Sequence, residues 1–138
     1  AFKESLRMIP PVPSLPRRAI KPFSFGGYDF PAGTYVGIQP AYTHRMAEHW
    51  PDPETFDPLR FEPEQVKARH KYAWVPFGGG AHMCLGLHFA YMQIKILMWH
   101  MLRTHRIEIG EGSGEKWQAW PIPKPRDGLP VRLVPLDA

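Results

Sequence analysis

The chain has one cysteine, Cys84, in the segment Phe77-Gly78-Gly79-Gly80-Ala81-His82-Met83-Cys84-Leu85-Gly86. Three glycines precede it, and a long apolar stretch without proline follows it. That stretch reads as a helix, which places the thiol at a helix start. Helix N-termini carry partial positive charge and N–H groups with no intrahelical partner, and both favour a thiolate. The glycines let backbone amides approach the sulfur, where N–H···S bonds moderate its charge and tune a bound metal. A lone cysteine is ordinarily a small buried hydrophobe; this loop argues for a different use. With no second cysteine, an intramolecular disulfide is excluded and a zinc site is poorly served. The chemistry that fits is completion of the coordination of a metal whose other ligands come with a flat cofactor. Gly86 removes a side chain where such a cofactor needs room.

The segment Phe77–Gly86 resembles the haem-binding signature of the cytochrome P-450 family, Phe-x-x-Gly-x-(His/Arg)-x-Cys-x-Gly, and Ala90 also fits. Two more motifs follow the family order. Glu4-Ser5-Leu6-Arg7 resembles its Glu-x-x-Arg helix motif, and Phe56-Asp57-Pro58-Leu59-Arg60-Phe61 resembles its Pro-x-Arg-Phe element. Glu4 and Arg7 are three apart and share a helix face. Arg60 would reach them from the later segment, giving one carboxylate two guanidiniums, a strong and directional arrangement. The resemblance spans essentially all 138 residues and matches the C-terminal third of a family member.

What the resemblance implies can be stated residue by residue. Cys84 is the axial ligand to the iron of haem b. Phe77 packs on the thiolate side of the haem, with Gly78, Gly86 and Ala90 in the same seat. His82 bonds a haem propionate. Arg17, ten residues after Arg7, pairs with a propionate, and Arg18 is its close rival. Glu4, Arg7 and Arg60 form a structural cluster. The implied reaction is insertion of one oxygen atom from O2 into a hydrophobic organic substrate. Electrons would come from a ferredoxin or a flavoprotein reductase. No catalytic residue is expected within these residues, because the family's oxygen-activating helix is not among them. The piece alone is therefore expected to be inactive. The same loop would also serve a peroxygenase, isomerase or dehydratase, a non-catalytic haem-binding fragment, or a redox-active thiol.

These groups need elements to hold them. The resemblance implies a mainly α fold with a minor β region, the chain 1–138 being the C-terminal fragment of one domain. Residues 1–9 put Phe2, Leu6 and Ile9 on one stripe and read as a helix end stopped by Pro10 and Pro11. Residues 10–19 read as extended. Residues 23–40 are aromatic and β-branched, with Gly26-Gly27 and Gly33 as punctuation, and predict strands joined by tight turns. Residues 41–50 predict one or two helical turns. Residues 51–76 are rich in proline, show little periodicity and predict an ordered meander or a surface loop. From Leu85 to about His105 the pattern predicts a long helix. Ile94, Leu97, Met98, Met101 and Leu102 form its stripe, and Ile96 and Trp99 broaden it, which predicts burial on most sides. Residues 106–109 and 131–136 predict strands.

Composition limits the other function classes. Apolar residues at 43% can build a core. Seventeen lysines and arginines against thirteen acidic residues leave a net charge of +4 without long runs, so nucleic acid is not indicated. Lys67, Arg69, Lys71 and Lys95 could form a basic face for an acidic electron donor. The apolar stretches at Val12 to Leu15 and Gln118 to Ile122, with Trp120, match those lining the family's substrate pocket. The remaining histidines, His44, His49, His70, His88, His100 and His105, show no ligand spacing. No stretch of 18 apolar residues is present. The chain starts without Met and reads as a fragment. Its short connections point towards a cytoplasmic, bacterial-type protein.

Overall fold

A computed structural model describes residues 1–114, 116–119 and 121–136; Trp120 lies outside them. The chain divides into two compact units, Ala1–Gly79 and Gly80–Ala138.

The first unit opens with helix α1, Phe2–Met8. Pro10 prevents its continuation, and Arg45 donates to the carbonyl of Met8 at 2.6 Å, satisfying one of the orphan acceptors at the helix end. Strand β1, Leu15–Arg18, pairs antiparallel with β4, Tyr35–Ile38, with Arg17 opposite Val36 and Arg18 opposite Tyr35. Between them β2, Phe23–Phe25, and β3, Tyr28–Phe30, form a hairpin. Its turn residues Gly26 and Gly27 have φ of +60° and +82°. Both positive values together are what a two-residue hairpin turn of matching twist needs. Phe23 and Phe30 stack across it at 4.9 Å.

Helix α2 spans Pro40–Thr43, a 3-10 turn spans Pro58–Phe61, and helix α3 spans Pro63–Ala68. Residues 51–76 are therefore less irregular than their proline content predicts. Each of these three elements carries proline at its start, where the missing N–H costs nothing and the fixed φ suits the helix. The core of the unit is Trp50, fully buried. Its indole N–H donates to the carbonyl of Ala73 at 3.2 Å, and the Arg69 guanidinium lies 3.8 Å from its ring centre.

In the second unit a 3-10 turn, Gly80–His82, leads through Cys84 into helix α4, Leu87–Thr104. Strand β5, His105–Ile109, follows directly and pairs antiparallel with β8, Val131–Pro135. A short ladder joins β6, Trp117–Gln118, to β7, Lys124–Pro125. The burial expected for α4 is not observed: none of its residues is buried, and Met92, Ile96, Leu97, Trp99 and Leu102 are about half exposed. An apolar stripe shows which side a helix can bury, but covering that side takes a partner element.

Candidate functional site

Cys84 is exposed. The backbone around it turns tightly: the Met83 N–H donates to Gly80 at 3.2 Å, the Leu87 N–H to the carbonyl of Cys84 at 3.4 Å, and the Ala90 N–H to Gly86 at 2.9 Å. Gly86 is the N-cap of α4, and no side chain caps this end. A β-carbon at Gly86 would lie 3.7 Å from Sγ of Cys84, so the residue borders the sulfur directly. Met83, Leu85 and Phe89 are exposed apolar neighbours in the same short stretch.

The three glycines serve different ends. Gly78 and Gly80 have φ of +74° and +70°, which L side chains rarely adopt. At Gly79 the limit is space, since a β-carbon would meet the Tyr72 ring at 3.3 Å.

Phe77, Gly78 and Arg17 belong to the first unit, and His82, Cys84, Gly86 and Ala90 to the second. Arg17 is exposed and donates to the adjacent carbonyl of Pro16 at 2.8 Å. Its rival Arg18 is engaged elsewhere, donating to Gly33 at 3.3 Å and lying 5.6 Å from the Tyr35 ring centre. Successive strand residues point to opposite faces, so the two arginines do not share one. His82 ends its 3-10 turn and is exposed. Phe77 is partly buried.

Glu4, Arg7 and Arg60 are brought together. Arg7 grips Glu4 with two bonds, Nε to Oε2 at 2.7 Å and Nη2 to Oε1 at 2.8 Å. Arg60 Nε stands 3.4 Å from Oε1, an ion pair without hydrogen-bond geometry. Its other nitrogens donate to the carbonyls of Pro51 and Asp52. The Asp57 N–H adds a bond to Oε1 at 3.0 Å. Burial opposes ionisation of Glu4, but the Arg7 and Asp57 hydrogen bonds and the two guanidinium charges outweigh it, holding the carboxyl below its usual range.

Two residues enter this core without a sequence signal. His44, fully buried, accepts from the Val75 N–H at Nε2, 2.9 Å, and its Nδ1 lies 3.2 Å from the carbonyl of Arg7. Arg69, one of four residues that could form a basic face, stacks on Trp50 and donates to the carbonyls of His49 and Arg60. Lys67 pairs with Glu64 at 3.0 Å.

Among the described residues no group of three or more His, Cys, Asp or Glu could hold a metal ion.

The second unit offers a lone exposed cysteine ahead of a helix N-terminus, and the first unit holds a buried carboxylate–guanidinium cluster. The sequence pattern described as Cytochrome P-450 matches residues 1–125. Cytochrome P-450 136 of Mycobacterium tuberculosis is 40% identical over 136 residues, 97% of this chain and 28% of that protein. Beta-amyrin 28-monooxygenase of Solanum lycopersicum is 39% identical over 132 residues, 96% of this chain and 27% of its own length. Among solved structures, "Retinoic acid bound cyanobacterial CYP120A1" superposes with a TM-score of 0.90 at 37% identity, covering 98% of this chain and 31% of that one. The chain belongs to the cytochrome P-450 family. Its helices and small β content fit the family fold, and it spans little more than a quarter of the curated relatives it matches.

Proposed function

We propose that residues 1–138 are the C-terminal part of a haem-thiolate monooxygenase domain, with Cys84 as the axial ligand of haem b. The observation that carries this reading is an exposed thiol at the start of α4, bordered by Gly86 rather than by a side chain. When bound, the haem supplies activation of O2 and insertion of one oxygen atom into a hydrophobic organic substrate. The residues of this chain contribute holding and orientation. Cys84 gives the sulfur ligand, and the first turn of α4 steadies its negative charge. Gly86 and Ala90 leave room for a flat ring, while Met83, Leu85 and Phe89 offer it apolar cover. His82 and Arg17 bind the two propionates, and Phe77 packs on the thiolate side. Arg18, the rival for this role, donates to Gly33 and lies over the Tyr35 ring, whereas Arg17 bonds only its neighbouring carbonyl of Pro16 among the bonds described. Glu4, Arg7 and Arg60 form a structural cluster that holds the first unit together.

The name of the Solanum relative supports monooxygenation as the reaction class. An electron-donor protein, a ferredoxin or flavoprotein reductase, and a cytoplasmic setting complete the proposal. No described helix is long and apolar enough to cross a membrane. The test is the carbon monoxide difference spectrum of the reduced full-length protein. Wild type should show the red-shifted band of a thiolate ligand, and Cys84→Ala should lose it. A well-folded wild type without that band would overturn the assignment.

A further inference from the structure

We propose that His44 is a positioning residue for the cysteine loop, its imidazole fixing the backbone of residues 73–78 against helix α1. This rests on the reading of Cys84 as the haem ligand. Residues 73–75 belong to no helix or strand, so their backbone groups need partners of another kind. Two fully buried rings supply them. Trp50 donates to the carbonyl of Ala73 at 3.2 Å, and His44 accepts from the N–H of Val75 at 2.9 Å. An amide N–H can only donate, so Nε2 of His44 carries no proton. The proton is then on Nδ1, which donates to the carbonyl of Arg7 at 3.2 Å. Arg7 returns a bond from Nη1 to the carbonyl of His44 at 2.9 Å. The ring therefore ties α1, the end of α2 and Val75 together with no donor or acceptor left over.

The tie continues into the loop. The carbonyl of Val75 accepts from the Gly78 N–H at 3.0 Å, closing the turn that presents Phe77. Fixing Val75 thus fixes the turn from which the glycine loop departs. The proposed effect of His44 is exerted through its bond to Val75.

Two conservative variants separate positioning from mere filling of the core. In His44→Gln the longer amide can place its oxygen where Nε2 accepts from Val75. In His44→Asn the shorter amide keeps a donor towards Arg7 and ends short of Val75. In the full-length haem-loaded protein, we expect His44→Asn to raise the fraction of the non-thiolate carbon monoxide form several-fold. His44→Gln should keep most of the thiolate form. Equal behaviour of the two, or an unchanged spectrum in a folded His44→Asn, overturns the proposal. Amide hydrogen exchange gives a readout independent of the haem. Val75 should be protected in wild type and in His44→Gln, and should exchange at least several-fold faster in His44→Asn. A Val75 amide that exchanges as fast in wild type as in His44→Asn also overturns it. Absence of the thiolate band from wild type sinks the Cys84 reading alone, and Val75 exchange still decides what His44 does.

Discussion

A neutral imidazole at the centre of a cluster of guanidiniums makes the first unit sensitive to acid. Burial pushes the His44 pKa down to about 4 from an ordinary 6.5, and the nearby charges of Arg7 and Arg45 push the same way. An unfolded chain takes up this proton near pH 6.5, the folded chain only near 4. Between these values the unfolded state binds more protons, so stability is complete above about 6.5 and falls as pH drops towards 4. The shift corresponds to roughly 3 kcal/mol. Glu4 acts in the same direction at lower pH. Its depressed pKa stabilises the fold above the usual carboxylate range, and that contribution is lost on acidification. His44→Gln removes one of these two groups and leaves the other. Its urea midpoint should therefore fall less steeply than that of wild type between pH 6.5 and 4. Parallel curves would show that His44 does not carry the titration.

Elements in this chain were legible in the sequence where their causes are local. Proline stops α1 at Pro10, paired glycines close the β2–β3 turn, and the apolar run without proline makes α4. The proline-rich segment 51–76 shows little periodicity in sequence because the same residue that breaks a helix also starts one, and Pro58 and Pro63 stand at starts. The buried role of His44 was not legible, because its partners lie 37 and 31 residues away. The motif residues Glu4, Arg7 and Arg60 could be listed from spacing; the Asp57 amide that completes their cluster could not. The start of α4 offers a test at this scale. Gly80 has positive φ and open space around it, so Gly80→Ala should cost about 1–2 kcal/mol through backbone strain alone. Gly86 has φ of −82°, which alanine adopts readily, and its added methyl would make ordinary contact with the sulfur. Gly86→Ala should cost at most about 1 kcal/mol as a weaker N-cap, yet reduce haem occupancy or shift the thiolate band. Denaturation and the carbon monoxide spectrum, measured on both variants, read the two effects separately. A Gly86→Ala protein with the wild-type spectrum and occupancy would remove Gly86 from the proposed seat.

At the scale of the molecule, α4 governs what the chain can do alone. An 18-residue helix with Met92, Ile96, Leu97, Trp99 and Leu102 half exposed leaves several large apolar side chains uncovered. Relatives of the same family are more than three times as long as the stretch matched here, 28% of the protein from Mycobacterium tuberculosis. In the proposed function, the groups that would cover this helix and the far side of the haem come from that remaining length. On that proposal Cys84 would supply one bond to the metal, and the exposed His82 and Arg17 would add two polar contacts. Exposed ion pairs contribute at most about 1 kcal/mol each, too little to order a flat apolar cofactor without a second wall. A polypeptide of residues 1–138 should therefore bind a hydrophobic dye through α4 and take up haem weakly, without a stoichiometric thiolate band. The full-length protein should bind haem one to one with that band, and the dye hardly at all. Titrating haem into both under reducing conditions with carbon monoxide decides the matter. One thiolate-ligated haem per chain in the short polypeptide would mean that the seat is complete within these residues.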